Sequence, residues 1–239
     1  MSRVVPLDGE HLSLDDVVAV AHGARADLRP QARARLERAA GALAQALAGG
    51  AALYGINTGF GPFARQRISA AEIEALQVNL LRSHAVGYGD LLPVPHVRAM
   101  LALRAHSLSR GYSGVGPALV EALVALLNAG VTPAVPEQGS VGASGDLAPL
   151  AHLGLALLGE GEAFHAGERL AAAEALRRAG LVPYRPTTKE GLALINGTQY
   201  MTAAGVLACA EAQLLLDAAQ IAAALSIEAL LGSVRAFDA

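Results

Sequence analysis

From Gln199 to Leu231 the chain is an almost unbroken run of alanine, leucine and isoleucine, charged only at Glu211, Asp217 and Glu228. Wound into a helix, such a run is apolar nearly all round, so no face of it suits solvent. A bilayer or the centre of a helical bundle would accept it. The three acids break the run, alanine is only weakly apolar, and Gln199, Tyr200 and Thr202 open it, which argues for the bundle and against the membrane. The sequence stops at Ala239, soon after this helix, so its cover is expected from further sequence, from other subunits, or from both.

The remainder reads as helices with start and stop signals. Pro30 to Leu47 is Ala/Arg-rich and ends at Gly49-Gly50. Ser69 and Glu72 have the spacing of a capping box, in which the serine oxygen takes an orphan N–H and the glutamate reaches back; the helix they open runs to about His84. Pro95 to Ser109 is a third helix, and Gly116-Pro117 opens a fourth that closes at Gly130. Glu160 to Leu170 is short and broken by glycine, which predicts a small hairpin before a helix over Ala171 to Ala179. The expected fold is mainly α. A mixed, mostly helical amino-terminal domain over residues 1–190, with a small β hairpin, leads into the first long helix of a central bundle over 191–239. A hydrophobic content of 53% is ample for a core.

The bulk properties narrow the function. A net charge of -3 with dispersed basic residues lacks the footprint of a nucleic-acid binder, so a small-molecule substrate is the better expectation. Cys209 stands alone, and no Cys/His cluster has zinc-ligand spacing, so no metal is expected. The polar, acidic start from Met1 to Leu14 does not read as a signal peptide, and a reducing cytoplasm fits.

Three segments carry glycine and polar residues where a plain core would not want them: Tyr54 to Gly61, Gly139 to Asp146, and Asn196-Gly197-Thr198. Such runs suit ligand loops and ordinary turns alike. Neither glycine run is followed by Lys-Ser or Lys-Thr, and neither follows a convincing strand, so phosphate-loop and dinucleotide readings fail on context. Ala143-Ser144-Gly145 has a chemical reading that a turn does not need. In a compressed turn the Gly145 nitrogen can attack the Ala143 carbonyl carbon, helped by glycine's missing Cβ. Loss of the former carbonyl oxygen from the ring as water, and then of the Ser144 hydroxyl as a second water, leaves a methylidene-imidazolone, an electrophile made from the chain itself.

The neighbours of this tripeptide carry a family resemblance. Gly139-Ser-Val-Gly-Ala-Ser-Gly-Asp-Leu-Ala-Pro-Leu150 resembles the signature of the aromatic amino acid ammonia-lyases that bear a methylidene-imidazolone. Tyr54-Gly-Ile-Asn-Thr-Gly-Phe-Gly61 resembles their amino-terminal loop, and Gly191-Leu-Ala-Leu-Ile-Asn-Gly-Thr-Gln199 their asparagine segment. Order and spacing agree from about residue 5 onward. The family's chains are about twice as long, so the resemblance implies that the carboxy-terminal half is missing here. It also implies a homotetramer with sites shared between subunits.

The resemblance further assigns roles. The substrate's amino group adds to the methylidene derived from Ser144, and a base then removes a β-proton of low acidity. Tyr54 is the candidate base or relay and a substrate contact, and would need its pKa lowered from ~10 by positive charge or hydrogen bonds. Asn196 is the donor to the ring and a second substrate contact. Asp146 supports the electrophile by capping the helix that starts near Leu147. His84 continues the apolar face of Leu80 and Leu81 and, by resemblance, meets the substrate side chain. The run Asn79 to His84 resembles the histidine-specific members, implying L-histidine as substrate and trans-urocanate with ammonia as products, with tyrosine and phenylalanine left open. Read without the resemblance, these residues are a packing tyrosine, an Asn-Gly turn, a plain cap and a satisfied core histidine. Two other functions stand beside the lyase: an amidase-like hydrolase with Ser144 as nucleophile and His152 as its base, and an assembly subunit whose lyase residues are idle.

Overall fold

Ser13 opens the first helix, α1 (Leu14–Ala21): its hydroxyl accepts the Asp16 N–H while the Asp16 carboxylate accepts the Ser13 N–H. The computed structural model describes residues 3–49, 53, 56–58, 68, 70–142 and 145–238. Strands β1 (Val4–Leu7) and β2 (Arg25–Leu28) flank α1 and pair in parallel, Val4 opposite Arg25. Helix α2 (Pro30–Ala48) begins with proline at a position whose N–H would have no helical partner. Helix α3 (Ala70–His84) follows; its expected cap, Ser69, lies outside the described residues. Then come β3 (Tyr88–Leu91), α4 (Val94–Ser109) and α5 (Pro117–Ala129). Gly130 ends α5 in the left-handed conformation, φ 68°, as the sequence predicts.

Strands β4 (Thr132–Pro133) and β5 (Pro136–Gln138) lead to α6 (Leu147–Leu157). The expected hairpin is present as β6 (Glu162–His165) and β7 (Glu168–Ala171), and β4 extends it to three antiparallel strands. After α7 (Ala172–Arg178), the short α8 (Glu190–Ile195) turns at Asn196 into the long α9 (Gln199–Ala229), with a final 3-10 turn over Val234–Phe237. The fold is mainly α. The β1–β2 and β3–β5 pairs were not foreseen, because such short strands leave no room for an alternating pattern to declare itself.

The core gathers around α4, on which α1, α5 and α9 pack. Val97, Met100, Leu101 and Leu108 are fully buried there. Buried Arg98 ties neighbouring helix ends together by donating to the carbonyls of Val20 (2.9 Å), Leu127 (3.1 Å) and Ala24 (3.2 Å). Three turns of α9 are gripped through Ala203, Val206 and Leu207. Beyond Leu207 the helix is exposed, apart from partial cover at Ala210 and Ile227.

Candidate active site

Two glycines bring three helices into close register. At Gly154 of α6 a Cβ would fall 2.9 Å from Leu81 Cδ2 of α3, and at Gly191 of α8 one would fall 2.5 Å from the Gln77 carbonyl oxygen of α3. Hence α3, α6 and α8 pack on one another, each closer than a side chain at those points would allow. The candidate residues sit at their ends. His84 closes α3, Gly145 and Asp146 precede α6, and Asn196 follows α8.

A further close contact joins the last two of these. Gly145 has φ +115°, and a Cβ there would lie 2.7 Å from the Gly197 carbonyl oxygen and 3.1 Å from the Gly197 nitrogen. The same carbonyl accepts the Asp146 N–H at 2.7 Å. The carboxy-terminal side of the Ala-Ser-Gly segment is thus pressed against the Asn196-Gly197 corner. Ala143 and Ser144 lie outside the described residues, as does Tyr54. Near Tyr54, the Asn57 side chain accepts the Leu53 N–H at 2.7 Å, and Thr58 is buried.

Asp146 differs from its expected role. It occupies the N-cap position of α6, but its side chain makes no capping bond to that helix. Instead the fully buried carboxylate accepts the Ser140 hydroxyl at 2.6 Å and the Met201 N–H at 3.0 Å. Met201 is in the first turn of α9, so Asp146 caps the long helix rather than its own, and it ties the glycine loop to α9. The sequence placed an acid before α6, but nothing local in it announced a partner 55 residues away.

His84 is half-buried, with Nδ1 2.9 Å from the Leu80 carbonyl oxygen and 3.1 Å from Ser83 Oγ. A carbonyl can only accept, so the proton is assigned to Nδ1 and the lone pair to Nε2. Asn196 is exposed. His152 on α6 accepts the Gly87 N–H through Nε2 at 3.0 Å, and burial lowers its pKa. That bond commits the Nε2 lone pair, leaving the hydrolase reading without a base at that nitrogen.

Sequence reasoning missed the residues behind the corner. Arg104, buried within α4, donates from Nη1 to Gln199 Oε1 (3.0 Å) and from Nη2 to the Ala193 carbonyl. Gln77, fully buried on α3, accepts the Leu192 N–H through Oε1 at 3.2 Å. Buried Glu190 accepts the Thr187 N–H (2.7 Å) and the Tyr184 hydroxyl (2.9 Å), and burial, then the Glu190 charge, pushes the Tyr184 phenol well above its usual range. Arginine flanked by Leu101, Ala102, Leu103 and Ala105 within a helix was the available signal for Arg104. A separate groove of about 830 Å³ lies between the end of α9 and the 3-10 turn, lined by residues including Ala223, Ile227, Leu231 and Phe237; none of the described candidate residues lines it.

Comparison with known proteins bears on the family and the fold. The family model for aromatic amino acid lyases matches residues 12–239. The chain is 57% identical over 231 residues to a histidine ammonia-lyase of Symbiobacterium thermophilum, covering 96% of this chain and 46% of that one. It superposes on the histidine ammonia-lyase of Trypanosoma cruzi with a TM-score of 0.90 at 38% identity, over 97% of this chain and 45% of the other. The Pantoea agglomerans phenylalanine aminomutase gives 0.91 at 34% identity, over 99% and 46%. The chain therefore spans about half the length of the relatives it matches.

Proposed function

The chain belongs to the aromatic amino acid lyase family, and on that premise we propose that it forms the electrophile-bearing half of a histidine ammonia-lyase, which eliminates ammonia from L-histidine to give trans-urocanate. The observation that carries this reading is the closure of Gly145 on the Gly197 backbone, a contact that leaves no room for a side chain at Gly145. It fits the need of Ala143-Ser144-Gly145 for a compressed turn, and the chain's 57% identity to a protein named histidine ammonia-lyase supports the choice of substrate.

The methylidene-imidazolone formed from Ala143, Ser144 and Gly145 supplies an electrophile that turns the substrate's amine into a better leaving group. Asp146 and the Gly197 carbonyl hold the backbone on its carboxy-terminal side. Asn196, exposed at the α8–α9 corner, donates a hydrogen bond to the negative charge that develops on the ring. His84 presents Nε2 as an acceptor for an imidazole N–H of the substrate, a contact that a phenyl ring cannot return. Tyr54 takes the β-proton, which requires a phenol lowered from ~10 toward neutrality.

The division near residue 190, a homotetramer completed by the carboxy-terminal half, and a cytoplasmic location belong to the same reading. By length and composition Glu190–Ala229 is apolar enough to cross a membrane. Its acids at Glu211, Asp217 and Glu228 favour protein neighbours over lipid. The test is turnover by the full-length protein, followed by urocanate absorbance and ammonia release. L-histidine should exceed L-tyrosine and L-phenylalanine in kcat/KM, and Ser144→Ala should abolish turnover. A Ser144→Ala protein that keeps its rate would refute the electrophile; a higher kcat/KM for another amino acid would refute the substrate.

A further inference from the structure

Arg104 is hard to explain as a stabilising residue. It is 3% exposed, its hydrogen-bonding partners are a carbonyl and an amide oxygen, and its Nε has no partner among the described residues. Burial lowers its pKa to about 10, so it stays charged at neutral pH. An apolar side chain of similar volume would avoid the desolvation cost of that charge. Its position gives it another use.

A Cβ built on Gly197 would overlap both Arg104 Nη1 and Gln199 Oε1. The corner is therefore enclosed from two sides. In front, the Gly197 carbonyl meets the Gly145 α-carbon and takes the Asp146 N–H. Behind, the Gly197 α-carbon rests on the guanidinium and the Gln199 amide. Arg104 also holds the Ala193 carbonyl, in the helix whose end sets the corner. We infer that Arg104, braced by Gln199, is a positioning residue for maturation of the electrophile: it is the fixed wall that keeps the Gly197 peptide against Gly145 while the ring closes.

The step requires this. The Gly145 nitrogen forms a bond to the Ala143 carbonyl carbon; the carbonyl oxygen leaves as water with the Gly145 and Ser144 amide protons, and the Ser144 hydroxyl leaves as a second water with the Ser144 α-proton. No oxidant enters. A corner free to retreat would release the compression that brings nitrogen to carbon, and small displacements are costly to such reactions.

This inference rests on the proposal that Ala143-Ser144-Gly145 cyclises, and the experiment separates the two. Full-length wild type, Arg104→Met, Arg104→Lys, Gln199→Leu and Arg98→Met proteins are purified, checked by circular dichroism and thermal melting, and digested. The mass of the peptide containing Ser144 is then followed with time after synthesis. Wild type should lose two waters, about 36 Da, as the glycine at the closing position allows. Arg104→Met and Gln199→Leu should keep a native spectrum yet close the ring about tenfold more slowly or worse. Arg104→Lys, with charge but no fork, should fall between them and wild type. Arg98→Met, which removes a second buried arginine whose hydrogen bonds go to carbonyls away from the corner, should melt lower but close normally. Ring closure at the wild-type rate in Arg104→Met overturns the inference, and Gln199→Leu decides it in the same way if Arg104→Met does not fold. An unprocessed wild type refutes the cyclisation itself, and the inference falls with it.

Discussion

Replacing Gly145 by alanine should cost measurably more than replacing Gly142, although both glycines lie in the same loop at positive φ. At Gly142, φ is +73° and an added Cβ would meet nothing among the described residues within 4 Å, so alanine there bears the left-handed backbone penalty, about 1–2 kcal/mol. At Gly145, φ is +115° and the Cβ would lie 2.7 Å from a carbonyl oxygen, with the Gly197 nitrogen and carbon at 3.1 and 3.2 Å. All three are backbone atoms, so no side chain can swing away. Relief requires the α8–α9 corner to move, and that corner is backed by Arg104 and Gln199. Overpacking of this kind adds about 1–3 kcal/mol. For a body of this size each kcal/mol lowers the melting temperature by about 2–4 °C. The assay is thermal denaturation of the two variants beside wild type, with the Ser144→Ala background added so that ring formation does not enter the comparison. Gly145→Ala melting at or above Gly142→Ala would refute the claim that Gly145 is in compressive contact with the corner.

Other expectations follow from single contacts. Asp146→Ala leaves the Ser140 hydroxyl and the Met201 N–H without their acceptor, at about 1–3 kcal/mol each, and amide exchange at Met201 should speed up; unchanged exchange there would remove the cross-helix cap. His84→Leu should reduce kcat/KM for L-histidine by about tenfold, the worth of one hydrogen bond, while raising it for L-phenylalanine; equal losses for both would mean that His84 only packs. Burial depresses the pKa of His152 and of His106 below 6.5, so the folded state favours their neutral forms. Their contribution to stability is complete above the unfolded value near 6.5 and is lost as pH falls through the folded values, because the unfolded chain binds more protons in that window. Melting temperature should therefore drop below pH ~6.5, with a smaller slope in His152→Gln, and an identical slope would show that His152 does not contribute.

Helices that announce themselves at both ends were legible in the sequence. Pro117 and Gly130 bracket α5, and Pro30 with Gly49 brackets α2, because the terminal groups have a local chemistry that only certain residues satisfy. The hairpin was legible through its glycines. What could not be read depends on partners far along the chain. Asp146 looked like a cap for the helix it precedes and serves the helix that begins 53 residues later. Arg98 and Arg104 are six residues apart on one helix and do different things: one gathers the carbonyls of two helix ends and of the turn before β2, while the other stands behind a loop. Local pattern gives both as misplaced charges and cannot distinguish them. The glycine segments were legible as a set through family resemblance; that Gly145 and Gly197 touch is a tertiary fact.

The long helix carries the sequence argument one step further. Its first three turns find cover through Ala203, Val206 and Leu207 against the core built around α4. Farther on, Leu214, Leu215 and Leu216 are all more than half exposed, at 69, 70 and 53%. Consecutive residues on a helix point about 100° apart, so these three leucines span more than half of its circumference. One neighbouring helix covers a stripe far narrower than that. Ile221 and Leu225 continue the exposed surface about one and a half and two and a half turns beyond Leu216, so the uncovered region is long as well as wide. Full cover of this stretch of α9 would take at least two elements on different sides, and the described residues supply neither. The same helix begins at the Asp146 cap and the Gly197 corner, so an element that packed on its far end would also bear on the direction from which its first turn meets the loop at Gly145.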